Sequence, residues 1–382
     1  MTTAVIIILY VSIAALAYIQ FGYLAALALL SRLRRHVTKQ QPICPSVSFI
    51  VPAHNEGRNI IPRIENLKSL DYPSELIEII IVSDCSTDDT AEQCRSTEGI
   101  SFIELKERGG KPAALNAGLE IATGRIIAFT DAAAMLEPDA LRLAVAHFAD
   151  PRVGCVSSED IVLAKGGVGE GEGLYIRIDT AIRRLESEVA SATGMSGSFY
   201  LVRRDLCPPF PVDLATDMFS ALYCVERDCF AIVEPSSKTR IAAQPDPACE
   251  FSRKVRTMVT GLRALRAFPH MLNPFRYGIY AWCLISHKIL RYLTPFFASF
   301  VLISMLYLSF SSLTFRLLLA LILAVAGISL LQIKVNTSTQ LPGIIKAPGF
   351  FCIASAAAVI GWYRFLRGER FVTWQPTERV TQ

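Results

Sequence analysis

Ala4 to Leu30 contains no charged side chain, and in helical form a run of that length covers a hydrocarbon core of roughly 30 Å with room for tilt. It is a transmembrane candidate. A cleaved leader carries its positive charge ahead of the apolar stretch, whereas here Arg32, Arg34, Arg35 and Lys39 follow it. That order predicts an anchor with its N-terminus outside and the chain after it in the cytosol. With 52% hydrophobic residues in 382, the composition also lies above the soluble average, as expected if part of the chain sits in lipid.

Three further apolar stretches lie at the far end, Tyr292 to Phe310, Leu317 to Ile333 and Ala347 to Tyr363, separated by Arg316 and by Lys334 and Lys346. Three full crossings would leave the C-terminus outside, while Arg364, Arg367 and Arg370 favour the inside. The segment 347–363 is therefore read either as a span or as a re-entrant or interfacial piece. Tyr277 to Leu290 mixes Tyr280, Trp282, His287 and Lys288 with apolar residues. It reads as an amphipathic helix in the interface, or as a plain continuation of the span that follows. The division expected is an N-terminal transmembrane helix (1–31), a catalytic domain (45–268), an interface helix region (269–290), two to three C-terminal transmembrane helices (291–366) and a tail (367–382). The whole is expected to be integral to the plasma (inner) membrane.

Between Arg32 and His287 charged residues recur every few positions, so this segment is expected to be water-soluble and about one large domain in size. The ten cysteines include no CxxC pair; irregular spacing suits reduced thiols better than a disulfide frame or a zinc site. The net charge of +4 is small and its excess gathers beside the apolar runs, which reports topology and lipid headgroups rather than nucleic acid.

Within that domain strand and helix alternate. Val47 to Val51, Glu78 to Val82, Ile100 to Leu105 and Arg125 to Thr130 read as strands, with helical stretches at Asn59 to Leu70 and Pro112 to Ala122. This is the pattern of an open α/β sheet, where ligands bind at the carboxyl ends of the strands. Pro52 to Glu56, Asp84 and Asp131 each follow directly from a strand, so three distant segments converge on one edge. There is no GxxxxGK[ST] loop, and Arg108-Gly-Gly-Lys111 lacks the glycine spacing of a dinucleotide fingerprint. A diphosphate here would be held by a divalent cation, by Lys111 or by later arginines.

Val51-Pro-Ala-His-Asn-Glu56, Ile81-Val-Ser-Asp-Cys-Ser-Thr-Asp-Asp89, Gly110-Lys-Pro-Ala-Ala-Leu-Asn-Ala-Gly118, Phe129-Thr-Asp-Ala-Ala133 and Glu137-Pro-Asp-Ala-Leu141 follow one another in that order. Together they resemble the VPxxNE, VDDGSTD, GKxxALNxG and DxD segments of the inverting family-2 glycosyltransferases. The resemblance implies a GT-A fold, a Rossmann-like, mostly parallel mixed sheet, in a cytosolic domain joined to transmembrane helices. It further implies that Pro52, Ala53, Glu56 and Asp84 hold the base and ribose of a nucleotide-sugar donor, UDP-linked by preference, with Lys111 nearby. Asp131 would lie by the diphosphate and bind Mg²⁺ or Mn²⁺, although Ala133 stands where the second ligand of the family's motif belongs and cannot ligate a cation.

Gly194 to Arg204 resembles the small-residue strand that lines the acceptor side, giving Ser196, Gly197 and Ser198 as acceptor residues. Asp217, in Leu214-Ala-Thr-Asp-Met218, stands at the place of the general base; read from the residues alone it is equally a helix N-cap. Phe251-Ser-Arg-Lys-Val-Arg256 occupies the QxxRW position of related synthases, with Arg253 and Thr257 in place of Gln and Trp. Arg253 and Arg256 would there stabilise the leaving diphosphate; a solvated basic helix is the alternative. The missing Trp weakens any reading as a processive polymerase. The implied function is transfer to a glycan or lipid-linked acceptor in cell-surface or exopolysaccharide synthesis, with possible membrane partner subunits. Charging of a polyprenyl phosphate, or a weakly active homologue serving as a partner subunit, are the alternatives.

Overall fold

The computed structural model describes residues 2–34, 37–163, 168–242, 247–335 and 343–373. Arg35 and the tail beyond Thr373 lie outside them, as do the side chains of Lys334 and Lys346. The region between the apolar helices is built on an eight-stranded sheet. Its strands are β1 (Val47–Ala53), β2 (Ile77–Ser83), β3 (Ser101–Glu104), β4 (Ile126–Thr130), β5 (Met135–Leu136), β6 (Val153–Leu163), β7 (Phe199–Arg203) and β8 (Phe230–Ala242). Their order is β3-β2-β1-β4-β7-β6-β8-β5.

The first half is parallel: β1 lies between β2 and β4, and β2 beside β3. All seven residues of β1 are buried, because helices cover both faces of a parallel sheet and leave no polar side to the strand. Alternate residues feed separate cores. Phe49 stacks on Phe199 on one face, while Ile50, Phe129, Tyr200 and Phe210 pack on the other. The strand β7 then runs antiparallel between β4 and β6, with Thr130 opposite Phe199 and Cys155 opposite Val202. This reversal carries the segment before β7 back to the carboxyl end of β4.

Boundaries differ from the sequence expectation by a residue or two, and the helix expected from Pro112 begins at Gly110. Gly110 has φ +82°, a left-handed conformation that costs a residue with a side chain but not glycine. The long helix Val168–Val189 was not anticipated, since its start is rich in glycine and charge.

Among the described residues two helices are long and apolar enough to cross a membrane, Thr2–Leu33 and Ile279–Ser309. The second begins at Ile279, ahead of Tyr292 and within the region 269–290 expected to be an interface helix or a plain continuation of the span. Short turns at Pro269–Leu272 and Pro274–Tyr277 end at Gly278, φ +53°, after which one helix continues through a π turn at Ile285–Ile289. In its first turns Tyr280, Ala281, Cys283 and Leu284 are buried against protein, and Trp282 packs edge-on to Tyr23 of the N-terminal helix at 5.2 Å. Helices Leu313–Val335 and Gly343–Leu366 follow. The chain after the last one returns to the helix Pro247–Ala267, where Arg263 donates to the carbonyls of Gly368 and Glu369 at 2.9 and 3.0 Å.

The helix Gly110–Ile121 crosses β1 so closely that a Cβ on Gly118 would stand 2.5 Å from Cγ2 of Ile50. Gly118→Val is expected to destabilise the domain by about 1–3 kcal/mol through overpacking. Thermal unfolding in detergent checks this, and an unchanged midpoint would refute the close approach.

Candidate functional site

The loops that leave β1 and β2 are stitched to one another. The Asp84 amide donates to the Ala53 carbonyl at 2.8 Å, and His54 Nδ1 pairs with the Asp84 carbonyl at 2.7 Å. Asn55, at φ +55°, accepts from the Thr87 amide at 2.7 Å and donates its own amide to Ser86 Oγ at 3.2 Å. The Glu56 amide donates to Thr90 Oγ1 at 2.8 Å, and its carboxylate accepts from Asn59 at 2.6 Å. Turn residues of this kind bond neighbouring backbone in place of a ladder. Pro52 and Ala53 are buried, and Glu56 is half-buried at the rim.

Asp84 is fully buried. One carboxylate oxygen accepts from the Gly109 amide at 2.7 Å and the other from the Gly110 amide at 2.9 Å. The first amides of a helix have no partner within it, and a buried carboxylate is tolerated only when donors meet it. Each group therefore satisfies the other. In this arrangement the carboxylate of Asp84, expected at the base or ribose of a donor, shapes the turn ahead of Lys111.

Lys111 then points across the sheet edge. Its ammonium lies 2.5 Å from Asp131 Oδ1 and 3.3 Å from the Gly197 carbonyl. The Asp131 amide and the Thr130 hydroxyl both donate to the Ser198 carbonyl, at 3.2 and 2.7 Å. Lys111 and Asp131, expected on the donor side, are thus brought together with Gly197 and Ser198, expected on the acceptor side. A Cβ placed on Gly197 would meet nothing within 4 Å, so this glycine borders open space. Ser196 Oγ lies 2.7 Å from both oxygens of Asp160 on β6, a carboxylate that sequence reasoning missed.

Arg63 was missed as well. It is fully buried, donating to Thr130 Oγ1 at 2.6 Å and to Asn66 Oδ1 at 2.7 Å. Burial pushes its pKa down and the charge of Asp131 pulls it back up. The available signal was its place on the apolar face of its helix, with Ile60, Ile64 and Leu67.

Asp217 is the second residue of the helix Thr216–Glu226, whose N-cap is Ala215, so it does not cap that helix. It is partly exposed and stands near Tyr200, whose phenol is raised in pKa by burial and then by the Asp217 charge. The loop leading to it is held by Asn116, which accepts from the Phe210 amide at 2.7 Å and donates to its carbonyl at 2.9 Å. Arg253 and Arg256 lie three apart on the helix Pro247–Ala267. Arg256 is half-buried, its pKa lowered by burial and by Arg253 and raised by Asp131, so the solvated-helix reading fails for it.

A divalent cation does not fit these residues. Mg²⁺ asks for several oxygen ligands in near-octahedral order. Here Asp131 is paired with an ammonium, Ala133 has no ligand atom, and Asp84 faces inward onto amides. Among the described residues no three His, Cys, Asp or Glu side chains come together as a metal set.

The sequence profile of the family described as Glycosyl transferase family 2 matches residues 48–207. Over 164 residues the chain is 28% identical to the poly-β-1,6-N-acetyl-D-glucosamine synthase of Staphylococcus epidermidis and 27% identical to that of Staphylococcus aureus. The aligned part is 41% of this chain and spans 39% of the length of those relatives. A solved mannosyltransferase from Pyrobaculum calidifontis, in complex with GDP-Man and Mn²⁺, superposes with a TM-score of 0.73 at 24% identity, covering 95% of this chain and 100% of that one. That likeness is one of fold.

Asp84→Ala would orphan the part-buried amide of Gly109 and the buried amide of Gly110, at about 1–3 kcal/mol for the buried one. It is expected to lower the unfolding midpoint and, by releasing the turn before Lys111, to weaken UDP binding as well. Calorimetry and thermal unfolding on one preparation check both; loss of UDP affinity at unchanged stability would restore a direct role for the carboxylate.

Proposed function

We propose that this chain, a glycosyltransferase of family 2, moves a sugar with inversion from a nucleotide-sugar donor to an acceptor presented at a membrane surface. The observation that carries the reading is the Lys111 ammonium lying between the Asp131 carboxylate and the Gly197 carbonyl. One side chain there joins the wall assigned to the donor diphosphate to the wall assigned to the acceptor. Pro52, Ala53 and Glu56 border the nucleotide end of the same edge.

In this reading Asp217 accepts the proton of an acceptor hydroxyl as its oxygen attacks the anomeric carbon. The bond from that carbon to the diphosphate breaks on the opposite face, and its electron pair leaves with the diphosphate. One carboxylate base suffices, because the nucleophile is the acceptor itself. Lys111, Arg253 and Arg256 meet the charge that develops on the leaving group, as preorganised cations do most effectively where water is scarce.

The bilayer enters through the two long apolar helices. Ile7, Ile8 and Val11 of the first, and Leu317, Leu321 and Leu323 of a later one, are exposed, and lipid is the medium that covers such faces at least cost. Arg263's bonds to Gly368 and Glu369 support a C-terminus on the catalytic, cytosolic side, with 347–363 re-entrant or interfacial. A glycan acceptor in surface polysaccharide synthesis rests on the staphylococcal synthases, and Arg253 and Thr257 in place of Gln and Trp favour single transfers. A polyprenyl phosphate acceptor is favoured by one observation: Lys288, on the membrane-entering helix, reaches to 3.5 Å from where a Cβ of Gly194 would stand. Extraction of labelled product into organic solvent separates the two.

Asp217→Asn is expected to cut transfer by about 10²–10⁴-fold while leaving UDP affinity in place. Single-turnover rates with a panel of nucleotide sugars, read beside calorimetry, test this. Wild-type turnover by the variant would remove Asp217 as the base.

A further inference from the structure

The cations around Asp131 outnumber what it can neutralise. Lys111 is paired with it at 2.5 Å. Arg63 lies beneath, held to Thr130, the residue preceding Asp131, at 2.6 Å. Arg256 approaches from the helix Pro247–Ala267 and feels its charge. Position 133, two residues on from Asp131, is an alanine with 8% of its surface exposed, so it adds no second carboxylate there. Arg63 cannot swing away to relieve the excess, because it is enclosed and bonded at both ends of its guanidinium.

We infer that the diphosphate of the donor is neutralised by Lys111 and Arg256, with Arg63 as a fixed buried charge below, and that no divalent cation is needed for it to bind. The inference rests on the nucleotide-sugar reading above. A doubly charged diphosphate brought to this edge meets Lys111 and Arg256 directly, whereas one arriving with a divalent cation brings two further positive charges up to them. Like charges at such range disfavour one another strongly where water is excluded. The cation would also have to displace Lys111 from the one carboxylate available, and would find no second ligand at 133. Guanidinium and ammonium groups are competent partners for phosphate oxygens in its place. As the glycosidic bond to the acceptor forms and the bond to the diphosphate breaks, the electron pair moves onto phosphate oxygens that already face these groups. The proton goes to Asp217, so the step balances without a metal.

The test is UDP and GDP binding to the purified full chain in lipid nanodiscs, by calorimetry, first in EDTA and then in Mg²⁺ or Mn²⁺. Wild type is expected to bind one of the nucleotides with an affinity that differs by less than about threefold between the two conditions, under 0.7 kcal/mol on the scale where tenfold is about 1.4. Lys111→Met, a partly exposed position that leaves folding intact, is expected to weaken that binding by about tenfold or more in EDTA. Ala133→Asp should reverse the pattern, binding more weakly than wild type in EDTA and gaining affinity with Mn²⁺. Transfer by wild type in EDTA, at a rate close to that in Mn²⁺, is the second readout. Nucleotide binding that disappears in EDTA and returns with Mn²⁺ overturns the inference and leaves the glycosyltransferase reading standing. Failure of every nucleotide to bind in either condition overturns both.

Discussion

The carboxylate of Asp84, closed over the amides of Gly109 and Gly110, is the contact on which the site depends. It ties the end of β2 to the start of a helix that begins 26 residues later, and it does so with groups that neither end could leave unpaired. Helix amides without partners are strong donors, and a carboxylate out of water needs such donors to remain charged. Because the turn is held this way, Lys111 leaves the helix in a fixed direction. The rest of the site is arranged around where that ammonium arrives.

What it reaches is a junction between two halves of one sheet. The parallel half ends in the loops of β1, β2 and β4, where a nucleotide would lie. The antiparallel strand β7 brings Ser196 to Ser198 to the same edge, and the shared acceptor is the Ser198 carbonyl, bonded by both Thr130 and Asp131. Thr130 in turn accepts from the buried Arg63. A single column of hydrogen bonds therefore runs from the helix behind the sheet, through β4, to the acceptor-side segment. Displacing any member would move the walls of donor and acceptor relative to each other.

The long apolar helix Ile279–Ser309 is joined to this arrangement by polar contacts rather than by packing alone. His287 Nδ1 lies 2.9 Å from Glu186 and 3.0 Å from Thr193 Oγ1, and Nε2 lies 3.2 Å from Asp179. Tyr23 of the N-terminal helix donates to the same Glu186 at 2.7 Å. Thr193 immediately precedes the glycine that opens the acceptor segment. Buried, mutually satisfied networks of this kind specify one geometry, since any misalignment strands a polar group, and here they set the acceptor wall relative to both long apolar helices.

The strands β1 to β4, the helices beside them and the apolar stretches were legible in the sequence, because each depends on near neighbours: an apolar run, a β-branched stretch, a turn of Ser, Asp and Asn. Asp84 and Lys111 could be singled out in that way, but not the direction in which either side chain points. The inward turn of Asp84, the burial of Arg63 under Asp131 and the reach of Asp160 to Ser196 join residues between 26 and 68 positions apart, and no local pattern encodes such pairings. The same limit explains the region 269–290. Its mixture of aromatic and charged residues reads as an interface helix until Glu186 and Asp179 supply partners for His287 and the Tyr23 ring supplies a surface for Trp282. Periodicity and composition determined which segments are strand, helix or apolar span. Which polar groups are satisfied by protein rather than by water, and hence which charges are left to meet a ligand, was decided only when the chain closed on itself.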